Sequence, residues 1–132
     1  MIGVDTNVLV RFFVEDDARQ AALAKRFMNE RTIDDPVFIS LVVAAELIWA
    51  LKQVYGFEKA QVLAAVTLLM GSANVMIEQE DLLKAAVEEA RGSGADVTDG
   101  IIAALAIAAG AATVVTFDRD AARFVAGMTL LK

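Results

Sequence analysis

The chain contains no cysteine and no histidine. It therefore lacks the thiol nucleophile, the commonest general base and the usual zinc ligands. Without cysteine, and with no basic segment ahead of an apolar stretch at Met1, nothing points to secretion or an oxidising compartment. A cytoplasmic protein is the expectation. Proline occurs once, at Pro36, where it follows Asp34-Asp35 and reads as the entry into a strand. Basic residues are outnumbered 12 to 18 by acids, for a net charge of −6, which argues against a broad electrostatic grip on phosphate. Whatever chemistry the chain performs falls to carboxylates and to what they bind.

At 132 residues the chain fits a single domain, residues 1–132, long enough to bury about two-thirds of the surface its unfolded form exposes. The uncharged stretch from Gly100 to Phe117 raises the question of a membrane span. Its alanine-rich first part, the break at Gly110 and the β-branched run from Thr113 instead fit a buried helix followed by a buried strand. Apolar residues make up 58% of the chain and the mean hydropathy is +0.56, high for a small monomer, so a homodimer is expected.

Strand-like runs at 1–4, 37–39, 74–77 and 113–117 alternate with helical stretches at 7–13, 17–30, 41–55, 58–70, 80–91, 98–109 and 119–126, and a short apolar run, 128–131, closes the chain. This alternation predicts an α/β fold with a mostly parallel sheet covered by helices. Ser40 is placed to cap the third helix and Gly56 to end it, Glu58 to open the next, and Gly110 to follow the alanine-rich one.

The first strand and the fourth each run into an aspartate, Asp5 and Asp118, and the carboxyl ends of parallel strands are where α/β sites are built. Asp5 also suits an N-cap, with Asn7 capping or orienting it; the two roles are compatible. Glu46 has Val42, Val43, Trp49 and Ala50 as its helical neighbours, so it reads as a carboxylate embedded among apolar side chains, a position that calls for pairing, metal binding or protonation, the other reading being an exposed edge between two apolar stripes. Asp96 and Asp99 flank the start of the alanine-rich helix; Asp99 is assigned to chemistry and Asp96 to capping or assistance. Of Asp118 and Asp120, one is expected to be a plain cap for the last helix. The pairs Asp16-Asp17, Asp34-Asp35 and Glu88-Glu89 read as solvated.

Were Asp5, Glu46, Asp99 and Asp118 to converge within ~6 Å, their mutual repulsion would reach roughly 15 kcal/mol at an effective dielectric of ~20, comparable to the stability of a domain. Such a cluster takes up protons or holds cations, and oxygen-only ligation points to Mg2+ or Mn2+ acting on a phosphodiester. Bound cations would also offset the net negative charge, with Arg11, Arg119 and Arg123 as candidates for a basic rim.

Four segments resemble the PIN-domain ribonucleases, in particular VapC-type toxins: Val4-Asp5-Thr6-Asn7-Val8-Leu9, Ala44-Ala45-Glu46-Leu47, Gly94-Ala95-Asp96-Val97-Thr98-Asp99 and Val115-Thr116-Phe117-Asp118-Arg119-Asp120. Their order and spacing span nearly the whole chain. The resemblance implies a three-layer α/β/α fold with a central, mostly parallel sheet, and a metal-binding acidic quartet of Asp5, Glu46, Asp99 and Asp118. It implies Asn7, Ser40 and Thr116 as polar helpers and Asp96 as an additional acid. It further implies a metal-dependent ribonuclease acting on RNA, a homodimer, and an antitoxin whose flexible tail covers the groove. Gly100 departs from the pattern, where a small residue with a Cβ is more usual. Two other readings remain: an Mg-dependent aspartyl-phosphate phosphatase or receiver-like module, disfavoured because no lysine occurs between Lys84 and Lys132, and a non-catalytic interaction domain.

Overall fold

A computed structural model describes residues 1–132, which gather into two compact units, Met1–Glu80 and Asp81–Lys132. In the first unit the order is β1 (Ile2–Gly3), α1 (Thr6–Phe13), α2 (Ala18–Asn29), β2 (Val37–Ile39), α3 (Leu41–Gln53), α4 (Lys59–Met70) and β3 (Val75–Ile77). The strands form one parallel ladder in the order β1-β2-β3, with Ile2 opposite Val37 and Val37 opposite Val75. Parallel neighbours require a crossover, and each is made here by a pair of helices. β2 is the central strand, and Val37 and Ile39 are fully buried on it. The same core takes in Leu9 of α1 and Leu47 and Leu51 of α3.

The ends of these helices follow from local chemistry. Asp17 caps α2 by accepting from the Gln20 backbone N–H at 2.9 Å. Glu58 and Gln61 form a reciprocal capping box at the start of α4. After α3 the chain reverses through Gly56 at φ +68°, a left-handed conformation in which a Cβ is strained.

α5 (Glu80–Ala90) leads into the second unit, which continues with α6 (Val97–Ala108), β4 (Val114–Thr116), α7 (Arg119–Phe124) and β5 (Met128–Leu130). β4 and β5 pair in parallel, Val114 opposite Met128. A small core of Ala95, Ala103, Ala121 and Val125 is flanked by Val114 and Met128. Gly94 lies so close to α7 that a Cβ there would sit 2.7 Å from the Phe124 ring, and Glu89 accepts a 2.7 Å bond from the Ala126 N–H. The segment entering α6 and the end of α7 are thus anchored within this unit.

All seven expected helices form, each within two residues of its expected ends; α7 stops at Phe124 because the Val125 backbone is already extended. All pairings are parallel, as the α/β class requires. Burial is where expectation fails. β1 is exposed at both residues and Val115 of β4 is 56% exposed, so neither strand is the buried one its apolar run suggested. In α6 the residues Val97, Gly100, Ile101 and Ala103 are buried, but Ile102, Leu105 and Ile107 are exposed. Apolar composition records what a segment can cover, and β1 and β4 each have only one strand neighbour. No helix is long and apolar enough to cross a membrane.

Leu51 is fully buried beneath the first ladder. Its replacement by alanine is expected to lower the unfolding free energy by about 2–5 kcal/mol, measured by urea denaturation, whereas Leu68→Ala on the exposed side of α4 should change it by less than about 0.5 kcal/mol.

Candidate active site

In the first unit the chain leaves β1 through Val4 and turns into α1 at Asp5, whose extended backbone (φ −92°, ψ 171°) is that of an N-cap. Asp5 Oδ1 accepts from the backbone N–H groups of Asn7 (3.0 Å) and Val8 (3.4 Å). Both bonds fall on one oxygen, so the other is left to face outward. The α1 N-terminus, with its free N–H groups and partial positive charge, is thereby what holds the carboxylate.

Glu46 reaches the same place from α3. Ser40 caps this helix, its hydroxyl accepting from the Val43 N–H at 3.2 Å, and Glu78, just past β3, accepts from the Leu41 N–H at 3.0 Å. With its first turn held twice, α3 presents Glu46 to α1, where the Thr6 hydroxyl donates to Glu46 Oε1 at 3.1 Å. A pocket of about 570 Å³ is lined by Asp5, Thr6, Asn7, Glu46, Trp49 and Ala50. Asp5 and Asn7 also border a second cleft, of about 510 Å³, together with Arg11 and the apolar Val8, Leu23 and Phe27. Arg11, expected at the rim, does line this cleft, but its guanidinium is engaged by Asp16 (2.6 Å), Gln20 (2.8 Å) and the Tyr55 hydroxyl (3.4 Å). The bond with Tyr55, and then the negative charge of Asp16, hold its pKa above the ordinary arginine value.

The second unit carries the other acids. Asp96 caps α6, accepting from the Asp99 N–H at 3.0 Å, and half-buried Asp99 occupies the first turn. At the end of β4 the Thr116 hydroxyl accepts from the Asp118 N–H at 3.0 Å. Asp118 in turn caps α7 through Oδ1, which accepts from Asp120 (2.8 Å) and Ala121 (3.0 Å). Arg119 and Arg123 are exposed, and Arg123 lies over the Phe124 ring at 4.9 Å.

The structure therefore brings Asp5 and Glu46 into one pocket, and sets Asp96 beside Asp99 and Thr116 beside Asp118 and Asp120. Within each unit taken by itself, no three carboxylates gather into a set able to hold a metal ion. One expectation needs correction. Glu46 is exposed, because its stripe of α3, with Val42 and Trp49, is itself uncovered; no acidic side chain is buried. Asn7 holds Asp5 through its backbone N–H, since the first turn of α1 already supplies that donor. Ser40 acts on the site through α3, as the cap of the helix that carries Glu46. Three residues escaped the sequence reading: Thr6, Trp49 and Glu78. The hydroxyl of Thr6 beside Asp5 was a usable signal, and so was the place of Trp49 one turn beyond Glu46; Glu78 gave none, being 37 residues from the N–H it accepts.

As donors these side chains offer only oxygen, and Asp5 and Asp118 each commit a single carboxylate oxygen to capping. Such a donor set fits a hard divalent cation, Mg2+ or Mn2+, and is unsuited to a soft one.

The capping role separates cleanly from chemistry. Asp5→Ala is expected to cost about 0.5–2 kcal/mol of stability, read from thermal or urea unfolding, while Asp5→Asn, which still caps, should stay close to the parent.

Compared with known proteins, residues 2–126 match the family model described as PIN domain. A solved structure with 25% sequence identity is that of VapC20 of Mycobacterium tuberculosis, a sarcin-ricin loop cleaving toxin; the match covers 93% of this chain and 94% of that one, with a TM-score of 0.47. No curated protein matches the chain.

Proposed function

This chain belongs to the PIN domain family, and from that premise we propose that it is a metal-dependent endoribonuclease, the VapC-type toxin of a type II toxin–antitoxin pair. The observation that carries the reading is the meeting of Asp5 and Glu46, 41 positions apart in sequence, in one solvent-open pocket. The proposed quartet is Asp5, Glu46, Asp99 and Asp118, with Asn7, Ser40, Asp96, Thr116 and Asp120 in support, all within a single functional domain over residues 1–132.

The residues that would hold Mg2+ or Mn2+ are those four carboxylates. A bound ion would supply the positive charge that activates water and stabilises the leaving oxygen of a phosphodiester. What the chain contributes is position. The α1 N-terminus fixes Asp5, the Thr6 hydroxyl orients Glu46, and Thr116 holds the backbone from which Asp118 projects. Asp120, in the first turn of α7, adds negative charge near Asp118 and is suited to the helix dipole.

The aspartyl-phosphate reading finds no support, because no lysine lines the pocket shared by Asp5 and Glu46. The remaining parts of the proposal are an antitoxin whose flexible tail covers the acidic groove, a homodimer that buries part of the exposed apolar surface, and a cytoplasmic setting.

Purified protein is expected to cleave RNA in the presence of Mg2+ or Mn2+ and to stop when chelator is added. Asp5→Asn or Asp99→Asn should reduce the rate by about 100-fold or more while the protein remains folded, the scale on which one charged group at a reacting centre acts. Full cleavage by either variant would refute the assignment. Expression alone should arrest growth, and co-expression of a small protein encoded beside it should relieve the arrest; harmless expression without that protein would remove the toxin role and leave the nuclease role standing.

A further inference from the structure

Trp49, the only tryptophan of the chain, is 57% exposed although it lines the pocket that holds Asp5 and Glu46. It stands three residues beyond Glu46 on α3, hence on the same face and one turn away, and Val42, 68% exposed, lies one turn to the other side. An indole in water leaves a large apolar surface unused. The rest of the pocket wall offers no lysine and no arginine, and Arg11, in the adjoining cleft that Asp5 also borders, is engaged by Asp16, Gln20 and Tyr55. The chain as a whole is also acidic. A flat aromatic face can hold a nucleic acid without charge, since every base presents a π-surface that stacks.

We propose that Trp49 is a substrate-positioning residue that stacks on an unpaired base next to the scissile phosphate, so that the pocket selects single-stranded or looped RNA. This rests on the ribonuclease reading above. By seating one base against α3, the indole would set the adjoining phosphate over Asp5 and Glu46, and binding energy absent from the acidic wall would come from stacking.

The test uses the single tryptophan as its own reporter. In the Asp5→Asn protein with Mg2+ present, a short oligoadenylate is expected to quench the indole emission, and an abasic oligomer carrying the same phosphates should leave it unchanged. In the parent enzyme, Trp49→Ala should raise KM for single-stranded RNA about tenfold or more with a much smaller loss in kcat, and Trp49→Phe should recover most of the difference. Cleavage that persists with no quenching and an unchanged KM in Trp49→Ala would overturn the stacking role and leave the nuclease reading intact. Absence of cleavage by the parent protein together with base-dependent quenching would do the reverse. Emission already blue-shifted and shielded from acrylamide in the free protein, and indifferent to oligonucleotide, would mean that protein covers Trp49, and would overturn the proposal.

Discussion

Four aspartates in this chain each begin a helix and accept a backbone N–H of its first turn, and three of them, Asp5, Asp96 and Asp118, are candidate site acids. The constraint this expresses is electrostatic. A fold that keeps several carboxylates at the starts of its helices needs something to hold them in place, and helix N-termini supply fixed donors and partial positive charge at no cost in side-chain entropy. At Asp5 and Asp118 the capping bonds fall on one oxygen, which orients the other. A structural role and the proposed chemical one are therefore compatible in one side chain. Cap and proposed ligand would be the two oxygens of one carboxylate.

Glu46 is held differently. It lies in the middle of α3, away from any helix end, and its orientation depends on a hydroxyl from another helix, that of Thr6. The alignment of α3 that makes this bond possible depends on Ser40 and Glu78 at its first turn. The site is thus supported through a chain of neutral and charge-assisted hydrogen bonds running from β3 through α3 to α1. A change at Glu78, outside the pocket, acts on the position of Glu46.

Much of this was legible in the linear order of residues. The helices announced themselves by caps and stops, as at Ser40, Glu58 and Gly110, and the strands by short β-branched runs ended by polar residues. The pairing of Asp5 with a helix start was visible for the same reason: capping is local chemistry, completed within three residues. What was not legible depended on distance along the chain. The Thr6–Glu46 bond joins residues 40 apart, and the second cap on α3 spans 37. Exposure was misread for a related reason. Glu46 has apolar neighbours on its own helix, but whether a stripe is covered is decided by other elements, and Val42 and Trp49 are open. The same distinction explains β1, exposed at both residues, and Val115 of β4.

The central claim is that carboxylates positioned by a helix end, as Asp5 is, or by a hydroxyl of a neighbouring helix, as Glu46 is, hold a divalent cation for phosphodiester hydrolysis. Crystals soaked in Mn2+ address it directly, because anomalous scattering locates the ion without reference to activity. The account predicts a peak within coordination distance of Asp5 and Glu46 oxygens, at the open side of their shared pocket. A peak only at other surface acids such as Asp34 or Glu88, or no peak under conditions in which the protein cleaves RNA, would contradict it.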